Sequence, residues 1–163
     1  MTIKEQLIDY ANKCFNDVKA SEYEDYISCQ KHKWACQRFL DDLKKSDARN
    51  TLAEPFPYVW DEKEAQNIVD WFALLRHSKG VLSGEPIILT VSQKFDLCQL
   101  YGWRHEKTGY KRFKKYFKEV ARKNAKSQEE AGIALYEIST QSVKNNEVYE
   151  YYTAGTKSQQ SRI

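Results

Sequence analysis

Apolar residues recur at helical spacing from the N-terminus: Ile3, Leu7, Ile8, Ala11, Cys14, Phe15 and Val18. Thr2 is followed three residues later by Glu5, a pairing in which hydroxyl and carboxylate each satisfy an orphan backbone amide at a helix start. A helix is therefore predicted from the first residues. A second is predicted from about residue 26 to 45, with Ile27, Trp34, Phe39, Leu40 and Leu43 as its stripe. Lys44 and Lys45 fall at its C-terminal end, where the helix dipole favours cations. Residues 50–58 contain Pro55 and Pro57 and read as an extended link. Asp61, with Glu64 three residues on, predicts the cap of a third helix. Ala65, Ile68, Val69, Phe72 and Leu75 would form its buried face. Ser78, Gly80, Ser83 and Gly84 punctuate the end of this half.

The period then changes. Pro86-Ile87-Ile88-Leu89 is a short apolar run, and Ser92 can cap a short helix through Lys94, Phe95, Leu97 and Leu100, closed by Gly102. Residues 115–120 alternate as a strand does. A helical pattern follows through Ala131, Ile133, Ala134, Leu135 and Ile138, and residues 147–154 are rich in β-formers. The order strand, loop, helix, strand predicts a βαβ unit with a right-handed crossover and parallel pairing. The expected fold class is α/β. A helical N-terminal subdomain, 1–85, is followed by an incomplete parallel sheet in 86–163.

Length and composition narrow this picture. A chain of 163 residues accommodates one domain, or one and part of another. Hydrophobic content of 41% and aromatic content of 13% exclude a disordered chain. A mean hydropathy of −0.77, with no apolar run near the length of a spanning helix, predicts no membrane span. The amphipathic start carries no export signal, so a cytoplasmic location is expected. Four cysteines without that signal read as reduced thiols. Cys29, His32 and Cys36 share a predicted helix face and admit a metal-site reading. No fourth ligand is evident, and buried thiols beside a partly exposed imidazole are the plainer interpretation.

Charge is distributed unevenly. Residues 1–90 carry 12 basic and 15 acidic side chains, and residues 91–163 carry 14 basic and 8 acidic. Nine of the basic residues lie between Tyr101 and Lys123, interleaved with Tyr101, Trp103, Tyr110, Phe113, Tyr116 and Phe117. Such a stretch can bind nucleic acid through phosphate contacts and stacking. It can equally be a hairpin or strand with its apolar face buried and its lysines solvated, the commoner use of a charge run.

The chemistry is expected where the predicted strand meets its helix. A phosphate-binding loop needs inward backbone amides, a helix N-terminus aimed at the anion, and a Lys followed by Ser or Thr. Lys126 and Ser127 supply that pair. Val120 and Ala125 occupy the two glycine positions of the usual motif, so the bare pattern also fits a plain βα turn with a solvated lysine.

Over nearly its full length the chain resembles the N-terminal part of the large subunit of tailed-phage terminases, the ATP-driven motor that packages DNA, in bacteriophages and prophages. The resemblance is carried by Cys36-Gln37-Arg38-Phe39-Leu40-Asp41-Asp42-Leu43, by Gly84-Glu85-Pro86-Ile87 with Gln93 and Phe95, and by Leu100-Tyr101-Gly102-Trp103. It continues through Arg112-Phe113, residues 119–127, Ala131-Gly132-Ile133-Ala134-Leu135-Tyr136, Glu147-Val148-Tyr149 and residues 153–163. It implies the opening βαβ part of a P-loop NTPase sheet and a variant Walker A loop formed by Arg122, Lys123, Asn124, Ala125, Lys126 and Ser127. Arg122 and Lys126 would be its catalytic cations, Ser127 the Mg2+ ligand, and Gln93 the reader of the adenine edge, with ATP and Mg2+ bound. Implied partners are double-stranded DNA, a small subunit, a portal and other copies of the full-length motor.

Ala125 stands where the family usually has glycine, and Ser92 where an aromatic residue often precedes the glutamine. The strand bearing the Walker B aspartate and its glutamate, and the nuclease domain, are expected to be missing from residues 1–163. An inactive, truncated ATPase portion follows from that expectation. The reading from a different class is a non-catalytic module that holds nucleic acid or a partner through residues 101–123.

Overall fold

The structure is a computed structural model that describes residues 1–19, 26–49, 51, 53–121 and 124–154. The chain divides into two compact units, Met1–Tyr116 and Phe117–Ile163.

The first unit is a helical cluster closed by a short β-ribbon. Helix α1 (Ile3–Phe15) begins with the expected capping box, in which Thr2 accepts from the Glu5 amide and the Glu5 carboxylate accepts from the Thr2 amide. Its buried face is Ile3, Leu7, Tyr10, Ala11 and Cys14, whereas Phe15 is exposed. Helix α2 (Gln30–Asp47) starts later than its periodicity suggested, and of the expected stripe it buries Phe39 and Leu43, joined by Cys36. Ile27 and Trp34 are 67% and 63% exposed, so they are not part of the core stripe. Strand β1 (Tyr58–Trp60) follows, and Asp61 caps α3 (Glu62–Leu74) by accepting from the Glu64 amide, as its sequence predicts.

Helix α4 (Val91–Gly102) is capped by Thr90 in a second capping box with Gln93, which places Ser92 inside the helix instead of at its cap. The chain runs directly from α4 into β2 (Trp103–His105). β2 pairs antiparallel with β1 in the register Tyr58↔His105, Val59↔Arg104 and Trp60↔Trp103. Gly109, at φ 72°, turns the chain back, and the Arg112 amide donates to the Trp103 carbonyl at 3.0 Å. The segment after Gly102 is therefore a hairpin.

Phe39 sits at the centre of the core, with ring centroids 5.4 Å from Trp60, 5.5 Å from Phe95 and 6.4 Å from Trp103. Beside these rings lies an enclosed ion pair. Glu64 and Arg104 are both buried, and Arg104 Nη2 donates to Glu64 Oε2 at 2.6 Å. Arg104 Nε donates to the Tyr101 carbonyl at 2.9 Å, and Asn67 donates to the other Glu64 oxygen at 3.3 Å.

The second unit holds α5 (Lys126–Tyr136), a π-helical turn (Glu137–Gln141) and the single turn α6 (Ser142–Asn145). The expected strands at 115–120 and 147–154 are not assigned, and the only sheet among the described residues is the antiparallel β1–β2 ribbon. The alternation in those segments is real, but a parallel strand is stable only with neighbours beside it and helices over both faces. No described helix is long and apolar enough to cross a membrane.

Removing one partner of the Glu64–Arg104 pair leaves an uncompensated buried charge. Glu64→Ala is expected to destabilise the chain by about 3–5 kcal/mol. Urea denaturation followed by tryptophan fluorescence measures this.

Candidate nucleotide-binding loop

The loop that carries Lys126 and Ser127 is shaped by one residue. Ala125 adopts φ 52° and ψ 17°, the left-handed region, and is the N-cap of α5. For an L-residue with a Cβ this conformation costs about 1–2 kcal/mol, which is why glycine favours such positions. The turn is held by the Asn124 side-chain amide, which donates to the Ala121 carbonyl at 3.0 Å, and by the Glu129 amide, which donates to the Ala125 carbonyl at 2.9 Å. Lys126 and Ser127 thus occupy the first two positions of an 11-residue helix, and both side chains are exposed. Amides at a helix start have no intrahelical acceptor, and the helix dipole adds positive potential there.

The same turn encloses a concavity of about 380 Å³ lined by Val120, Ala121, Asn124, Ala125, Lys126, Ser127 and Gln128. That volume lies within the range of small-ligand pockets, about 300–1,000 Å³. Arg122 and Lys123 lie outside the described residues. Gln93 belongs to the other compact unit, where its Oε1 accepts from the Thr90 amide at 2.9 Å and from the Thr90 hydroxyl at 3.1 Å.

Two features near the loop are invisible to local pattern reading. Glu129, in the first turn of α5, is buried and held by Lys118, whose ammonium donates to both carboxylate oxygens at 2.8 and 2.7 Å. The pair spans 11 residues, so no helical period reveals it. Farther along, the π-helical turn buries Gln141 to 1% exposure, with neither end of its side-chain amide paired among the described residues.

The basic stretch before the loop is largely committed to the first unit's fold. Tyr101 and Trp103 are fully buried, and Arg104 serves the enclosed pair. Arg112 Nη1 donates to the buried Asp42 at 2.7 Å, and its guanidinium lies over the rings of Phe56, Tyr58, Trp103 and Phe113 at 4.9–5.6 Å. Lys111 stands 4.9 Å from the Tyr101 ring. Lys107, Lys114 and Lys115 remain exposed.

Comparison with known families places this geometry. Residues 92–163 match the family described as terminase large subunit, ATPase domain. That segment runs from α4 through the loop and α5, and the match supports reading the chain as an N-terminal portion of such a subunit. Neither the curated proteins nor the solved structures returned a match.

Lys118→Met would leave the Glu129 carboxylate enclosed without its cation. A loss of about 2–3 kcal/mol in local stability is expected, below the value for a fully enclosed pair because Lys118 keeps 15% of its side chain exposed. Amide hydrogen exchange over α5 reports this as lost protection, and Lys118→Met with Glu129→Leu together should restore most of it.

Proposed function

We propose that the chain binds ATP with Mg2+ through residues 122–127, as the nucleotide-binding part of a DNA-packaging motor. The observation that carries the reading is the left-handed turn at Ala125, which sets Lys126 and Ser127 at the start of α5 on the rim of the concavity. A triphosphate tail fits there chemically. The Lys126 ammonium complements β- and γ-phosphate charge, the first amides of α5 donate to an anion, and the Ser127 hydroxyl is a hard oxygen ligand of the kind Mg2+ takes beside phosphate oxygens. Arg122, Lys123 and Asn124 would complete the rim, with Arg122 as a second cation for the transferred phosphate. Gln93 would read the adenine edge by exchanging its cap contact with Thr90 for the base. In an assembled motor, residues 115–120 would become the strand that leads into this loop, within a parallel P-loop sheet.

Binding and turnover have separate requirements. Hydrolysis needs a carboxylate to share the Mg2+ and a group to orient water. Glu129 is not that carboxylate, because both its oxygens are held by Lys118. Turnover in this reading therefore depends on a carboxylate other than Glu129. Double-stranded DNA, a small subunit, a portal and further copies of the motor are the partners this function requires, in the cytoplasm of a bacterial host.

A second reading is a module that binds nucleic acid or a protein partner through the exposed lysines of 101–123. Lys107, Lys114 and Lys115 with the 53%-exposed Tyr110 favour it. The burial of Tyr101, Trp103 and Arg104 removes the strongest stacking and phosphate groups from it.

Titration with a fluorescent ATP analogue and Mg2+ separates the two. Lys126→Ala should weaken binding by about 10- to 100-fold, the value of a charge-assisted hydrogen bond. Ala125→Gly should strengthen it several-fold by relieving the left-handed strain, and Ser127→Ala should remove its Mg2+ dependence. Indifference to all three, with salt-sensitive DNA binding that falls on neutralising Lys114 and Lys115, would replace the motor reading with the second.

A further inference from the structure

Away from the loop, the helical unit brings together three soft donors. Cys14 comes from the last turn of α1, and His32 and Cys36 lie four residues apart on one face of α2. The two sulfurs and a ring nitrogen of His32 all lie within 4.8 Å of one another. Both thiols are buried and His32 is half-buried. Cys29, which shares the His32 and Cys36 face in the sequence, is exposed at the N-cap of α2 and takes no part. Cys14 from the neighbouring helix stands in its place.

The donor set and spacing suit one class of ion. Tetrahedral zinc takes thiolate sulfur at about 2.3 Å and imidazole nitrogen at about 2.0–2.1 Å, so its ligand atoms lie about 3.5–3.8 Å apart. The cluster needs to contract by only about an ångström to meet that geometry. The orienting shell is also present. The Tyr10 hydroxyl lies 3.0 Å from His32 Nε2, and the Phe95 ring packs against the imidazole with centroids 5.7 Å apart. The geometry points to a site for a soft divalent cation, zinc above all, ligated by Cys14, His32 and Cys36 with water in the fourth position. The ion would pin the C-terminal end of α1 to α2.

The test uses the whole chain, reduced and stripped with a chelator, titrated with Co2+ as a spectroscopic stand-in. One equivalent should produce a thiolate-to-cobalt charge-transfer band and the intense visible bands of a tetrahedral centre, and Zn2+ should displace both. Cys14→Ser, Cys36→Ser and His32→Gln should each lower Co2+ affinity by at least tenfold. Tyr10→Phe, a positioning change, should lower it by about tenfold, and Cys29→Ser should leave spectrum and affinity unchanged. Zn2+ should raise the melting temperature of the parent and of Cys29→Ser, but not of Cys14→Ser. Absence of the tetrahedral spectrum from the reduced parent would overturn the site even if a variant failed to fold. Equal loss on Cys29→Ser, or a Cys14–Cys36 disulfide that forms in place of metal uptake, would do the same.

Discussion

The buried guanidinium of Arg104 fixes how the first unit closes. It joins the Glu64 carboxylate of α3 to the carbonyl of Tyr101 at the end of α4, and it sits in the strand that pairs with β1. An enclosed charge tolerates little freedom of geometry, because each of its donors must find an acceptor away from water. The pair therefore sets the register of the ribbon and the orientation of α3 against α4. Arg112 repeats the device from the return arm of the hairpin, held by Asp42 on α2 and covered by aromatic rings. Positive charges that look available for phosphates in the sequence thus work inside the fold.

A different constraint governs the loop. One alanine in the left-handed region reverses the chain and starts α5, so the helix opens with a lysine and a serine beside a hollow. The strain is modest, and the flanking hydrogen bonds at Asn124 and Glu129 hold it in place. The Lys118–Glu129 pair ties the first turn of α5 to the segment before the loop and neutralises the buried Glu129 carboxylate.

The helix starts at Thr2 and Asp61 were legible because a cap is settled within three or four residues by a short side chain and a nearby amide. So was the Lys126-Ser127 pair at the head of a helix. Local signals failed where two choices were similar over that short range. Thr90 and Ser92 are both good caps, and Thr90 prevails because Gln93 falls three positions after it and completes a capping box. Ile27 and Trp34 fit a helical stripe by spacing alone, yet α2 faces inward along Cys36, Phe39 and Leu43, where the rings of Trp60, Phe95 and Trp103 wait.

By itself the sequence determined where most helices begin and which residues turn the chain. Only the tertiary structure decided which basic residues are enclosed, which helix supplies Cys14 to His32 and Cys36, and that residues 115–120 and 147–154 are not assigned as strands among the described residues. Caps and turns are set by neighbours in the chain, whereas ion pairs, ligand clusters and sheets depend on groups distant in sequence, and those meet only when the helices pack.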